Sequence, residues 1–424
     1  MLFSLICVRF DKLERRTKAE VCNRYKTDVF STSYSYSGKP PYQDQQGSCT
    51  QKSYDKRTDD NKALKELNYM RWLVGFDTPV SLDSKYDNEQ IQCAICNVKN
   101  RNLIHRPDSS TPCYTSSAYA GCSSSNLGSG FGSFDAARAI QQFIQDPGVY
   151  NENLGHRRWV FYGGLKTTAF GGAYNSLKSG ESGLTNSVAM KTFNMGSSSE
   201  ERLVFTAYPP PGYFPARFIY SRFSFWALEI SEGEPLQISV KIDGVTQKVG
   251  AIKYTTGNYG GKQRGAMFNL SDYGEDRLYQ SNYQKLIGKR IDIQVKYNSN
   301  VYDYTVYPVD CDAAEISTPT PKTPTPKTPT PKTPTPKTPT PKAPTPQTNA
   351  AQPDKSSPTS DSINQENEAG NQVSSNASDS GKKKKIIIGV VVALVLVTTI
   401  VVISIFVVKK GYCHHSKEIE RSES

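Results

Sequence analysis

The imidazoles of His105 and His156 have more chemistry open to them than any other side chains of this 424-residue chain, because the remaining two histidines, His414 and His415, lie beyond a long apolar segment near the C-terminus. His156 stands in residues 151–162, NENLGHRRWVFY, between a glycine turn and an aromatic run. Arg157 and Arg158 put two cations beside it, and Trp159, Phe161 and Tyr162 favour a half-buried strand over residues 157–162. If the two imidazoles meet in the fold they make a site; if they do not, each is a hydrogen-bonded structural histidine.

The elements that must position them read as helices first and strands afterwards. Asp59, Asp60 and Asn61 offer a cap for a helix carrying Ala63, Leu67, Met70 and Val74 at helical spacing, and Gly75 closes it. A second helix starts at Asp83 or Ser84, buries Ile91, Ala94, Ile95 and Val98, and ends near Asn100, just before His105. A third begins at Ser133, places Ala136, Ala139, Ile140, Phe143 and Ile144 on one side, and stops at Asp146-Pro147-Gly148, so Asp146 sits in its last turn. Strands are expected at 157–162, 167–173, 187–195 and 202–208, and this order indicates an α+β fold. Residues 223–307 are almost all strand and turn, with alternating runs at 236–242 and 291–297, and read as a small β-sandwich domain over 209–312. Residues 9–58 are polar and tyrosine-rich, without a clear period, and carry no structural assignment.

The net charge of +11 has a local origin. Lys322, Lys327, Lys332, Lys337 and Lys342, then Lys382 to Lys385, then Lys409 and Lys410 equal the excess of 51 basic over 40 acidic residues. The rest of the chain is neutral on balance and carries no electrostatic footprint for nucleic acid. Residues 318–342 are five copies of TPTPK, a composition that forms a polyproline II stalk within a 313–381 linker. Residues 386–408 are uncharged and rich in Ile, Val and Leu, long enough to cross a bilayer, which makes 409–424 a short tail. Basic residues flank both ends of that span, so orientation rests on other features: sequons at Asn269 and Asn376 and eight cysteines before the span suit an oxidising exterior. Residues 1–19 then read as a signal peptide with its apolar part at 2–8, and 409–424 as cytosolic. The expected place is the plasma membrane, single-pass, with the N-terminal part outside.

Several fragments occur together in order: LNYMR at 67–71, PVSLD at 79–83, LIH at 103–105, SSNL at 124–127, AIQQFIQD at 139–146 and GHRRW at 155–159. This set, over residues 60–208, resembles the CAP superfamily of cysteine-rich secretory, venom-antigen and plant pathogenesis-related proteins, especially its bacterial and protist branch. The resemblance implies a three-layer αβα sandwich ahead of the β-sandwich, and an open cleft with two histidines and two acids. Carried over by position, His105 and His156 fall on the histidines and Asp146 on the second acid, while Ser125 stands where the first acid is usual. Two neutral imidazoles beside a carboxylate can hold Zn²⁺, but the missing acid weakens such a site, and Arg157 weakens it further if it points inward. His105 and His156 are the candidate metal ligands.

A hydrolase is the competing reading, with Ser123, Ser124 or Ser125 joined to His156 and Asp146, but SSSNLGSG lacks a nucleophile-elbow context. Gly128, Gly130 and Gly132 have neither the preceding strand nor the Lys-Ser/Thr of a phosphate loop. Cys93 and Cys96 are read as buried helix cysteines or disulfide partners, and Cys113 with Cys122 is the favoured disulfide. With Cys7 in the signal, one of seven ectodomain cysteines is left over; Cys413 lies where palmitoylation occurs. The resemblance implies extracellular binding or adhesion to a lipid, sterol, host-surface or protein ligand, with a peptidase-like hydrolase as the alternative.

Overall fold

The computed structural model describes residues 13–31, 35–193, 200–257, 259–271 and 282–313. The expected stalk, the 386–408 span, Asn376 and the C-terminal tail lie outside the described residues, as do residues 1–12 of the expected signal. No helix among the described residues is long and apolar enough to cross a membrane.

The chain is a mixed α/β protein with several sheets. Its elements run α1 Lys18–Asp28, α2 Lys56–Val74, β1 Ser81–Leu82, α3 Asp87–Asn100, α4 Ser116–Cys122, β2 Ser125–Gly130, α5 Ala136–Gln145, α6 Gly155–Val160, β3 Thr167–Thr168, β4 Phe170–Tyr174 and β5 Asn186–Lys191. Then come β6 Phe205–Tyr208, β7 Gly212–Pro215, β8 Phe223–Ala227, β9 Gln237–Ile242, β10 Val245–Thr246, β11 Lys253–Tyr254, β12 Arg264–Phe268, β13 Ile291–Tyr297 and β14 Asn300–Val309.

The three helices expected from apolar spacing are present, with caps displaced from those expected. Asp55 caps α2 by accepting from Thr58 N, and Gly75 ends it in the left-handed region at φ 114°. Asp135 caps α5, while Ser133 bonds back to Ser35 instead. Asp83 caps a 3₁₀ turn at Ser84–Tyr86, and α3 follows.

A small antiparallel sheet, ordered β2-β5-β4, lies between helices. Gly171 lets the backbone of α3 approach one side of β4, since a Cβ there would stand 2.2 Å from Gln90 C; on the other side, a Cβ at Gly172 would strike the Tyr42 ring at 2.0 Å. On β2, Leu127 packs with Cys93 of α3 and Cys122 of α4, while Gly128 lies against Phe143 of α5. Two further sheets follow, ordered β10-β9-β13-β14-β7 and β11-β12-β8-β6. Phe225 of β8 and Tyr302 of β14 meet across them with ring centroids 4.9 Å apart. β6, within the 60–208 stretch, pairs with β8 from Phe205↔Ala227 to Tyr208↔Ser224, so its hydrogen bonds belong to the later sheets. One buried apolar cluster runs from Val21 and Leu67 through Phe143 to Phe225 and Val295.

Three expectations need correction. Residues 155–160 form helix α6 rather than a strand, because a carboxylate behind them receives the first helical N–H groups, and that capping outweighs the strand preference of Trp and Val. Residues 9–58 are not without structure: Thr17 caps α1, which buries Val21, Cys22 and Tyr25. Arg16, within the 1–19 stretch, is 6 % exposed and donates to Trp72 O at 2.6 Å. The Cys113–Cys122 disulfide is replaced by Cys49–Cys113 and Cys93–Cys122, beside Cys22–Cys311. Cys93 faces Cys122 because α4 lies against α3, where a Cβ at Gly121 would come 2.1 Å from Glu89 O. That leaves Cys113 to a partner in the segment given no structural assignment. The one free cysteine among those described is Cys96, buried on α3.

Candidate functional site

Asp146 organises the site. It ends α5 with left-handed backbone at φ 52° and is 0 % exposed. Its carboxylate accepts His156 N at 3.0 Å, Arg157 N at 3.3 Å and His156 Nδ1 at 2.7 Å. One side chain thus caps α6 and fixes an imidazole ten residues away in sequence. The ring of His156 stacks on Phe143, 5.7 Å between centroids. With Nδ1–H donated to the carboxylate, neutral His156 carries its lone pair on Nε2.

The two arginines do not enter this arrangement as charges beside the ring. Arg157 is fully buried and turns to the end of α5, donating to Ile144 O and to Gln145 O at 3.3 Å, then to Arg222 O at 2.8 Å and Ser224 Oγ at 3.0 Å. Its guanidinium lies 4.6 Å from the Tyr208 ring centre. A cation at the C-terminal carbonyls of a helix complements the helix dipole, and here it joins α5 to β8. Arg158 reaches Thr256 O at 2.9 Å and Gly257 O at 3.0 Å. Arg222 holds the loop after α5, donating to Asp146 O, to Gly148 O at 2.9 Å and to Asn151 O at 3.3 Å.

His105 lies within electrostatic reach of His156. Its Nδ1 lies 3.0 Å from Cys122 O, a carbonyl that can only accept, so His105 too presents Nε2. Partial enclosure of the ring lowers its pKa, the Cys122 carbonyl opposes this, and the charge of His156 lowers it again. For His156 burial acts downward, but the Asp146 carboxylate outweighs it, and the net shift is upward. The two imidazoles therefore diverge: as pH falls, His156 takes a proton before His105 does.

Ser125 is not in this arrangement. It is 1 % exposed and donates to Gln90 Oε1 at 2.6 Å on the α3 side of the sheet. The neighbour Asn126 points the other way and donates to His156 O at 3.0 Å. Strand alternation, a period of two, carries that information, and it makes Asn126 the site residue that motif matching passed over. Nor do the serines form a triad: Ser124 Oγ donates to Ala120 O at 2.5 Å and receives Lys191 Nζ at 2.7 Å, and Ser123 Oγ turns to Ala120 O. Lys191 also pairs with Glu89 at 3.1 Å.

Zinc fits this donor set poorly. Two imidazole Nε2 atoms are presented, but the Asp146 oxygens are spent on His156 and Arg157, and structural or catalytic zinc takes at least three protein ligands. Among the described residues, no three His, Cys, Asp or Glu side chains are grouped to hold a metal ion. Asn269, the sequon in the described part, follows β12, is half-buried and accepts Gly250 N at 2.8 Å through its backbone. Comparison with protein-family models, with curated proteins and with solved structures finds no match for this chain.

Proposed function

We propose that this chain is a membrane-anchored, cell-surface binding module of CAP type, with an αβα sandwich and a β-sandwich carried outward on the 313–381 stalk from a span at 386–408, and 409–424 in the cytosol. Three disulfides support an oxidising location. The observation that carries the binding reading is the state of the cleft: the Asp146–His156 pair has the form of a base and its orienter, yet the hydroxyls of Ser123, Ser124 and Ser125 are committed elsewhere. With no nucleophile or metal beside it, the oriented imidazole is read here as a structural part of a binding module and not as a catalytic base.

The binding surface follows from exposure. Phe161 is 4 % exposed and belongs to the core, so it cannot carry affinity. Tyr150 is 98 % and Val149 74 % exposed, on the loop that Arg222 and Asn151 tie down. An aromatic tip on a pre-ordered loop loses little entropy on docking, and such residues dominate interface energies. The ligand class is a lipid, sterol, host-surface molecule or partner protein. Attachment of the full chain to cells or vesicles should survive His105→Ala with His156→Ala and weaken about tenfold or more in Tyr150→Ala. Loss of attachment in the double histidine variant, with Tyr150→Ala unaffected, overturns this surface. Topology has its own test: a tag after Ser424 should be protected in intact cells while the stalk is cut by added protease.

A further inference from the structure

Of the three disulfides among the described residues, one meets solvent. Cys22 is 8 % and Cys311 4 % exposed, and Cys93 and Cys122 are fully buried where α4 lies against α3. Cys49, by contrast, is exposed and its partner Cys113 half-buried. A disulfide opens when a thiolate reaches one of its sulfurs, so access decides which bridge reacts.

The exposed bridge joins two segments that have few other ties at that point. Residues 43–46 lie along the outer edge of β4: Gln45 N donates to Tyr174 O at 2.8 Å, Ser176 N to Asp44 Oδ1 at 3.1 Å, and Lys99 Nζ to Gln45 O. Beyond them the grip ends. Among the described residues, 47–53 hydrogen-bond only within 43–53, as Ser48 N does to Gln45 O at 3.0 Å and Thr50 N to Ser48 Oγ at 3.1 Å, so Cys49 is their bonded link to the loop between α3 and α4. On the loop side, Cys113 packs against the cluster of Ile91, Ala94, Ile95, Val98 and Ala173. Its backbone is left-handed at φ 60°, a conformation that an L residue keeps only where its surroundings hold it. The same loop carries His105. Charge around the segment is basic: Lys99 lies within reach of Lys52, Arg101 and Lys178, against Asp44 and the Glu181 that pairs with Arg101. Such a field favours the approach of a thiolate.

We propose that Cys49–Cys113 is a site of thiol–disulfide exchange for a dithiol reductant, and that its opening loosens 43–53 and the His105 loop while Cys22–Cys311 and Cys93–Cys122 hold the rest of the fold. One thiolate of the dithiol attacks the exposed Cys49 Sγ; the Cys49–Cys113 bond breaks, and its electron pair leaves on Cys113 Sγ, which takes a proton from water. The second thiolate of the dithiol then displaces Cys49 from the mixed disulfide. The protein gains two electrons and two protons, and the dithiol becomes a disulfide. Cys113 is then free to leave its left-handed conformation, which draws the two sulfurs apart. Neither step involves Tyr150 or His156.

Graded dithiothreitol on the full chain in detergent, quenched with N-ethylmaleimide and mapped by peptide mass spectrometry, tests this. Cys49 and Cys113 should be labelled at about tenfold lower dithiothreitol than Cys22, Cys311, Cys93 and Cys122, while the buried free thiol of Cys96 stays unlabelled. In that opened state, hydrogen–deuterium exchange over 43–53 and 105–113 should rise about tenfold, with β13 and β14 unchanged. Labelling of all three pairs together, or of a buried pair first, overturns the proposal, as does an opened bridge that leaves exchange over 43–53 as it was. Labelling of Cys96 at the same step reports unfolding instead of exchange at one bridge, and overturns it too.

Discussion

Asp146 and Glu66 are equally shut off from solvent, yet they are held in different ways. Asp146 faces an imidazole that can become a cation, and it also caps a helix. Glu66 faces two backbone amides, a hydroxyl and a carboxamide, all neutral. The first arrangement strengthens as His156 takes a proton. The second leaves a carboxyl that burial pushes up to about 7, although every group bonded to it donates and so favours its ionised form.

Variants can break this contrast. Asp146→Ala leaves three buried or half-buried donors without an acceptor, and should cost about 3–5 kcal/mol in thermal or denaturant melts of the full chain. A loss below about 1 kcal/mol would show that α6 holds itself. Leu67→Ala, at a fully buried position of α2, should cost about 2–5 kcal/mol by opening a cavity, and calibrates the scale. Glu66→Gln should change stability by less than about 1.5 kcal/mol at acidic pH and flatten its dependence on pH. His105→Ala should be the mildest, under about 1 kcal/mol, since it removes one bond from an exposed residue; a larger loss than Leu67→Ala would make the histidine structural.

Stability against pH sharpens the same comparison. His156, Asp59, Asp60 and Glu66 all have raised values in the fold, so their contributions are complete below the unfolded values and are lost as pH rises through the folded ones. His105 works in reverse: its lowered value favours the fold above its unfolded value of about 6.5, and this is lost as pH falls. Asp135 is raised by burial as well, and five groups against one predict a lower melting temperature at about pH 8 than at about pH 5. Equal or higher melting at the alkaline end would contradict the upward shifts of these groups.

The sequence made the apolar faces of α2, α3 and α5 legible, because Leu67, Ile95 and Ile140 recur with neighbours at helical spacing. It also pointed to Asp146 and His156, which lie at successive element boundaries and so are brought together by one turn of chain. Two features were hidden for physical reasons. Trp159 and Val160 favour strand locally, and the carboxylate cap that makes them helical comes from another element. The partner of Cys113 is Cys49, 64 residues away in a polar segment with no period, and pairing of that kind depends on tertiary geometry alone. Ser125 failed for a third reason: matching by position ignored that adjacent strand residues face opposite sides, so Asn126 took the place by His156.

The central claim is the proposal that this chain binds through its exposed surface without cleaving, the oriented imidazole of His156 having no catalytic role. Incubating the full-length wild-type protein with a diverse peptide library, with His156→Ala in parallel, tests it most directly. The account predicts no cleavage by either protein, with surface attachment retained by both. Reproducible cleavage by the wild type that disappears in His156→Ala would contradict it and make this chain a hydrolase.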